Sequence, residues 1–326
     1  MKDIFLTSQK ATNALSKMRT KACTLEELEL NKQEIDELIS ATGNINYNRL
    51  NDTYYISKFN ENNYEIISFS SKDEVTEKWL ELSDLYLGSK FCDMDTLNYV
   101  LELAKNQGIT NVHIAGDLCA GHPSYKKQDL YLTAKTAQEQ ADIAIELFSK
   151  YPDFKYYCIN GERDLSFEKG DSINPIILVQ RGLSEKGIEF HHINEMVANL
   201  VIQGVVKRLQ HGTGKLAYTK SYKIEKEMWQ QFENMSDNVI IKNRNYNICF
   251  VQFGHYHVTC LQALGGIMIT STAGMVFDDK GVLNENTSYP CAKITEATIK
   301  NGKVIRFITE NITNPKNVIM LSLIHI

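Results

Sequence analysis

From about residue 73 onward, short apolar runs alternate with stretches whose apolar residues recur at helical spacing. The first pattern suits strands and the second suits amphipathic helices. Trp79 to Tyr86 reads as a strand, Met94 to Lys105 as a helix with Leu97, Val100, Leu101, Leu103 and Ala104 on its apolar face, and Val112 to Ala115 as another strand. A long helix is expected over Leu130 to Lys150, ahead of a strand from Phe154 to Ile159. The second half is richer in strand patterns: Ile188 to Ile193, Met196 to Gln210, Ile248 to Phe253, Val258 to Thr272 and Ala292 to Thr309, with one helix from about Thr219 to Glu233. Alternating strands and helices argue for an α/β fold with parallel strands and crossover helices. Sheets of that kind bind ligands beyond the carboxyl ends of their strands.

Residues 1–72 read as a separate module, and the polar stretch from about 57 to 76 as its boundary. Thr24-Leu25-Glu26-Glu27 has the form of a capping box that opens a short helix. Asn31 caps a second helix, Lys32 to Thr42, which Gly43 ends, and strand-like patches at Ile45, Tyr47 and Tyr54-Tyr55-Ile56 flank the turn-prone Asn51-Asp52. Helix, turn, helix and hairpin together resemble a winged helix. Such a module docks its second helix in the DNA major groove, but Glu34, Asp36 and Glu37 face Lys32 alone here. Phosphate would be repelled by that face, which favours a protein-docking or domain-packing role.

Composition narrows the setting. At 326 residues with 43% hydrophobic content the chain can bury a large core, and its net charge of −5 gives no overall basic field to attract nucleic acid. Any DNA contact is therefore expected to be local. Seven cysteines occur without a Cys-x-x-Cys pair, mostly in apolar runs, which reads as reduced buried thiols in a cytoplasmic protein. Neither a signal peptide nor a membrane-spanning apolar run is evident, so no membrane association is expected.

Five polar clusters run down the chain in a fixed order: Ser83-Asp84-Leu85-Tyr86, Gly116-Asp117, Asn160-Gly161-Glu162-Arg163-Asp164, His211-Gly212 and Gly254-His255-Tyr256-His257. An isolated Asp at a strand end is usually a turn or cap residue, and an isolated His a surface one. Five clusters, four of them after an apolar strand, could converge at one sheet edge. Their order and spacing over about residues 73–312 resemble the calcineurin-like metallophosphoesterases, whose motifs read Asp-x-His, Gly-Asp, Gly-Asn-His-Asp, His-Gly and Gly-His-x-His. Leu82 to Cys92 and Ala115 to Gln128 look most like the DNA-processing branch: repair exonucleases, phage phosphoesterases and the small subunit of archaeal D-family DNA polymerase.

The resemblance implies a sandwich of two mixed β-sheets flanked by helices, and a centre of two divalent ions, with manganese favoured over iron or zinc. Asp117 would bridge the ions, with Asp84 and His257 on one and His211 and His255 on the other. Two such ions polarise a phosphoryl oxygen, generate hydroxide and steady the leaving oxygen. Three positions depart from the pattern. Tyr86 replaces a ligand His, Glu162 replaces a ligand Asn and could hold metal as a carboxylate, and Arg163 replaces the catalytic His. A guanidinium keeps its proton, so Arg163 can clamp phosphate but cannot protonate a leaving group. Asp164 is expected to pair with Arg163.

Pro123-Ser124-Tyr125-Lys126-Lys127 and Tyr218-Thr219-Lys220-Ser221-Tyr222-Lys223 interleave rings with ammonium groups, as a single-strand track does. Tyr125, Lys126 and Lys127 are the candidate substrate contacts; a solvated loop is the plain alternative. His113, His122, His191 and His192 stand apart from the motifs and read as structural or surface residues, and His211 to Lys215 lacks the spacing of a phosphate loop. Residues 313–326 read as a tail expected to pack poorly. Leu321 to Ile326 resembles the translation of a sequencing-library adapter, which would place the native C-terminus elsewhere. Two readings stand: a metal-dependent phosphodiesterase acting on DNA, and a scaffold subunit of a DNA replication or repair assembly that keeps the fold with little catalysis.

Overall fold

The computed structural model describes residues 9–20, 23–42, 45–48, 52–56, 64–70, 72–124, 129–193, 196–212, 238–241, 244–264, 266–276 and 289–316. The expected Thr219 to Glu233 helix, Tyr125, Lys126, Lys127 and the last residues of the tail lie outside them.

Three helices, α1 (Gln9–Thr20), α2 (Leu25–Leu28) and α3 (Lys32–Thr42), precede an antiparallel hairpin of β1 (Ile45–Asn48) and β2 (Thr53–Ile56). The capping box is present. Thr24 Oγ1 accepts from the Glu27 N–H at 3.2 Å, and Glu27 Oε2 accepts from the Thr24 N–H at 2.9 Å. Asn31 and Glu34 exchange the same pair of bonds at α3. Ala14, Met18, Leu28, Ile35, Leu38 and Tyr54 form a core of their own. Glu34 is taken by Lys10 at 2.7 Å, and Lys32 by Tyr54 Oη at 3.2 Å and Asp36 at 3.3 Å. The charged groups of α3 thus serve the module's own packing, and the helix offers no surplus of cations. α1 carried no sequence signal strong enough to be expected.

The remainder is α/β, with two mixed sheets and flanking helices. Its first strands are β3 (Tyr64–Ser68), β4 (Glu74–Leu82), β5 (Asn111–Ile114), β6 (Lys155–Ile159) and β7 (Phe190–Ile193). They are followed by β8 (Val197–Ile202), β9 (Val205–His211), β10 (Asn238–Ile241), β11 (Arg244–Gly254), β12 (Cys260–Leu264) and β13 (Ile267–Ser271), and finally by β14 (Ala292–Lys300) and β15 (Lys303–Ile312). One sheet has the order β15-β14-β4-β5-β6-β7, with β4 to β7 parallel. The other runs β12-β13-β11-β9-β8-β3, with β10 on β11.

Helices α4 (Met94–Asn106), α5 (Ala137–Phe148), α6 (Glu162–Asp171) and α7 (Pro175–Glu185) occupy the crossovers. Leu97, Val100 and Leu101 of α4, Ala144 and Leu147 of α5 and Ile176 and Val179 of α7 pack with Leu80, Val112 and Tyr156 of the first sheet. Between the sheets lie Trp79, Val205, Phe250 and Ala297 in one cluster and Ile159, Leu200 and Leu209 in another.

Some expectations change. The long helix over Leu130 to Lys150 begins only at Ala137, because the Thr136–Glu139 capping box satisfies its first amides and fixes the start there. The apolar run Met196 to Gln210 folds back at Gln203-Gly204 into two antiparallel strands, and Ala292 to Thr309 does so at Asn301-Gly302. Helices α6 and α7 were not expected from the periodicity. Residues 83–86 form a loop, so Asp84 leaves the sheet edge rather than alternating along a strand. None of the seven cysteines forms a disulfide, and five of them are buried. No helix among the described residues is long and apolar enough to cross a membrane.

Candidate metal centre

The parallel strands β4 and β5 deliver the first two clusters side by side, and their loops remain zipped beyond the strand ends. The Asp84 N–H donates to the Gly116 carbonyl at 3.0 Å and the Leu85 N–H to the Asp117 carbonyl at 2.9 Å. In the second sheet β9 and β11 are parallel, and their register sets His211 opposite Gly254. The His-Gly and Gly-His-x-His clusters therefore leave at the same edge.

The backbone turns sharply there. Asp84, Tyr86, Asp117, His255 and His257 all have left-handed φ angles, of 51°, 52°, 51°, 83° and 50°. Conformations of this kind cost of order 1–3 kcal/mol each and cluster where side chains must be aimed at one point. Two glycines make room. A Cβ on Gly161 would run into the Asp117 carboxylate, and one on Gly254 would meet the Ala115 carbonyl and stand 3.0 Å from His211 Nδ1.

Asp84, Asp117 and His211 are buried, and each offers one donor atom, all three within 4.8 Å of one another. His211 Nδ1 lies 2.8 Å from the Ala115 carbonyl, which only accepts, so that nitrogen carries the hydrogen. Nε2 is thereby aimed at Asp117 Oδ1, 3.5 Å away, and has no hydrogen-bond partner among the described residues. An imidazole oriented through its far nitrogen, with the near one buried and unbonded beside two carboxylates, is the usual dress of a metal ligand. The three donors fit a divalent cation.

The other expected ligands are placed differently. The His255 N–H donates to both Asp84 oxygens, at 2.9 and 3.2 Å, while its ring meets His211 edge-on at 5.2 Å between centroids. His257 Nε2 lies 3.3 Å from Asp84 Oδ1 and is hydrogen-bonded to Tyr86 Oη at 2.9 Å. Glu162 opens α6 and is part-exposed. None of these three joins the tight donor group.

Arg163 is inside the centre, its side chain 3% exposed. Its Nε lies 3.6 Å from Asp117 Oδ2, its Nη1 donates to the Ala120 carbonyl at 3.2 Å, and its Cζ stands 3.7 Å over the Tyr86 ring. Its backbone N–H donates to Asp117 Oδ1 at 2.9 Å, so this carboxylate also caps the positive end of α6.

The expected pairing of Asp164 with Arg163 is corrected. Asp164 accepts from the Gly161, Cys119 and Leu118 N–H groups at 2.9, 2.9 and 3.3 Å. One turn of α6 sends neighbouring side chains to different sides: Asp164 back over the helix start, Arg163 onward to Asp117. Asp164 therefore pins the Asp117 loop to α6.

Charge follows the geometry. Burial works against the Asp84 carboxylate, but His257 and His211 outweigh it and hold the group below the usual range. For Asp117 burial is again outweighed, by His211 first and Arg163 after, against repulsion from Asp84. Burial would lower His211, yet the Asp117 ion pair raises it to about 10. Burial and the Asp117 charge push Asp164 up to about 7 despite its three amide donors.

Nothing in the sequence marks Tyr86 and Arg163 as touching, since one lies in the loop after β4 and the other in the first turn of α6. Nor does it mark the Ala115 carbonyl, a backbone atom that any residue would supply. His113, His191 and His192 lie away from the donors: His113 is buried against Trp79, His191 stacks on Tyr157 and His192 bonds Asn160.

No protein-family model matches the chain, and no curated protein matches it. Solved structures do. Vacuolar protein sorting 29 from Cryptosporidium parvum is 14% identical over 73% of this chain and 99% of its own, with a TM-score of 0.38. A conserved predicted phosphoesterase from Streptococcus pneumoniae is 11% identical over 74% of this chain and 99% of its own, with a TM-score of 0.33. Vacuolar protein sorting 29 from Entamoeba histolytica, complexed with zinc, is 12% identical over 72% and 98%, with a TM-score of 0.33. Likeness at this level fixes no activity, and the chemistry of the centre rests on its own donors.

Proposed function

We propose that the chain is a metal-dependent phosphoesterase that acts on phosphodiesters through a centre built on Asp84, Asp117 and His211. The observation that carries this reading is the buried, unbonded His211 Nε2 facing two buried carboxylates. A bound divalent ion, with manganese favoured over iron or zinc, would polarise a phosphoryl oxygen and lower the pKa of water. Asp84, Asp117 and His211 hold it, and the Ala115 carbonyl keeps His211 in the ligating tautomer. Arg163 supplies fixed positive charge beside Asp117 but no proton, so leaving groups that need no protonation are the better substrates.

DNA is the substrate class favoured by the resemblance, with Tyr125, Lys126 and Lys127 as its proposed track and Glu162, His255 and His257 as further proposed donors. The test is hydrolysis of an activated phosphodiester and of single-stranded DNA with added manganese, against an Asp117→Asn control. Turnover that does not exceed the control refutes the reading.

One observation favours a second reading. Arg163 and His211 balance the charges of Asp84 and Asp117 without any metal, and Tyr86 already holds His257 Nε2. A site satisfied in this way can persist in a scaffold subunit, with residues 1–72 as the proposed contact for a protein partner. Full stability with neither metal uptake nor turnover is the outcome this reading expects.

A further inference from the structure

The donors expected of a dinuclear centre do not fit two ions. Asp84, Asp117 and His211 converge on one point, while Asp117 Oδ2, the oxygen a second ion would share, faces Arg163 Nε at 3.6 Å. The guanidinium is held there from three sides: by Asp117, by the Ala120 carbonyl at 3.2 Å and by the face of Tyr86 at 3.7 Å. Tyr86 in turn hydrogen-bonds His257 Nε2, the nitrogen that lies 3.3 Å from Asp84. Two of the three positions that depart from the family pattern, Tyr86 and Arg163, are thus in contact, and together they engage the groups on which an ion between Asp84, Asp117 and His257 would depend.

From this we infer that the centre takes one divalent cation, with the stacked Arg163–Tyr86 pair as a built-in substitute for the second. Charge argues the same way. With the guanidinium already against Asp117, the two carboxylates have no negative charge to spare once one divalent ion is bound, and a further ion would stand within a few ångström of that guanidinium in a site that solvent hardly reaches, where repulsion is weakly screened. Cation and ring also strengthen one another when desolvated, so the pair resists displacement. The inference rests on the metal-binding part of the proposed function and is independent of turnover.

Manganese uptake by the full chain, read by mass spectrometry after gel filtration and by electron paramagnetic resonance, decides it. The unaltered protein should retain one equivalent with the signal of an isolated ion, Arg163→Lys should stay at one, and Arg163→Ala should rise to two with an exchange-coupled signal. Two equivalents or a coupled signal in the unaltered protein overturns the inference, as does a folded Arg163→Ala protein that stays at one. If Arg163→Ala does not fold, the spectrum of the unaltered protein settles the matter alone. One equivalent without phosphodiester hydrolysis removes the enzyme reading and leaves this inference standing. Two equivalents with hydrolysis do the reverse, and no uptake in either protein overturns both.

Discussion

Among the described residues, two buried clusters of charge are built on different principles. Between the sheets, Lys207 Nζ of β9 donates to Glu81 Oε1 of β4 at 2.7 Å, and Trp79 Nε1 and Thr295 Oγ1 donate to the same oxygen at 2.8 and 3.1 Å. Lys207 also lies 4.8 Å over the Trp79 ring, against which His113 stacks. All these residues belong to regular strands, and none has a left-handed backbone. At the metal centre the charged residues sit on loops or at strand and helix ends, and five of the cluster residues are left-handed. Each buried carboxylate of the centre also lies near an imidazole that a metal could use. Both clusters leave buried polar atoms unbonded, Glu81 Oε2 and the His113 ring nitrogens in the interior and His211 Nε2 at the candidate centre, but only the centre adds a strained backbone and gathers two carboxylates and an imidazole about one point.

The largest contrast should come from breaking one partner in each. Asp117→Asn should abolish metal uptake, read by mass spectrometry, and bring hydrolysis to background. Lys207→Met leaves Glu81 buried and unpaired, a loss of about 3–5 kcal/mol. That should lower the melting temperature by about 10 °C while the folded fraction still takes up metal. Adding Glu81→Gln should recover most of the melting temperature. If Lys207→Met abolished uptake in folded protein, the two clusters would not be separate devices.

Next in size is placing histidines at the two touching positions, Tyr86 and Arg163. Tyr86→His with Arg163→His should raise hydrolysis of an unactivated phosphodiester by about a hundredfold, the typical worth of a general acid. The gain should be smaller with an activated leaving group. No gain in either assay would mean that the centre differs from a catalytic one in more than these two positions.

Gly161→Ala probes the packing behind the donors. The backbone there tolerates alanine, with φ of −115°, but the new Cβ would meet Asp117. Metal affinity by titration should fall about tenfold to a hundredfold, the usual effect of disturbing a ligand's support. Gly108→Ala, with nothing within 4 Å but a φ of 70°, should cost stability and leave metal affinity unchanged.

Per unit of change, the gentlest effects are in pH. His211 must lose the Nε2 proton to ligate, and Asp117 holds that proton up to about 10. Metal affinity should therefore climb by about tenfold per pH unit below that value and flatten above it. In metal-free protein the sign reverses. His211 contributes fully below its ordinary 6.5, and that stability is lost as pH rises through about 10. Burial instead holds Lys207 down to about 8 from 10.5, so its contribution grows with pH across that window. Melting curves of His211→Asn and Lys207→Met against pH should separate these opposite slopes.

Much was legible beforehand because it is local. Helix α4, strands β5 and β6, the Thr24 capping box and the hairpin at 45–56 follow from periodicity and turn chemistry within a few residues of themselves. The five clusters were visible because each pairs a ligand-type side chain with a glycine or a strand end. Helix α6 was missed because its polar first turn, Glu162-Arg163-Asp164, carries the site rather than an apolar face. The expected start of α5 is too early because the apolar residues before Thr136 continue the pattern but form only a 3₁₀ turn at 129–131.

The sequence by itself determined which side chains reach the carboxyl ends of the strands, since strand period and chain order set that without knowledge of the partner strands. Tertiary structure alone decided what those side chains do on arrival. Asp117 could have bridged two metals, yet the turn of α6 brings a guanidinium to its second oxygen. Asp164 could have held Arg163, yet it faces three amides. These outcomes depend on contacts between loops far apart in the chain, and a residue's neighbours, not its type, choose among the partners its chemistry allows.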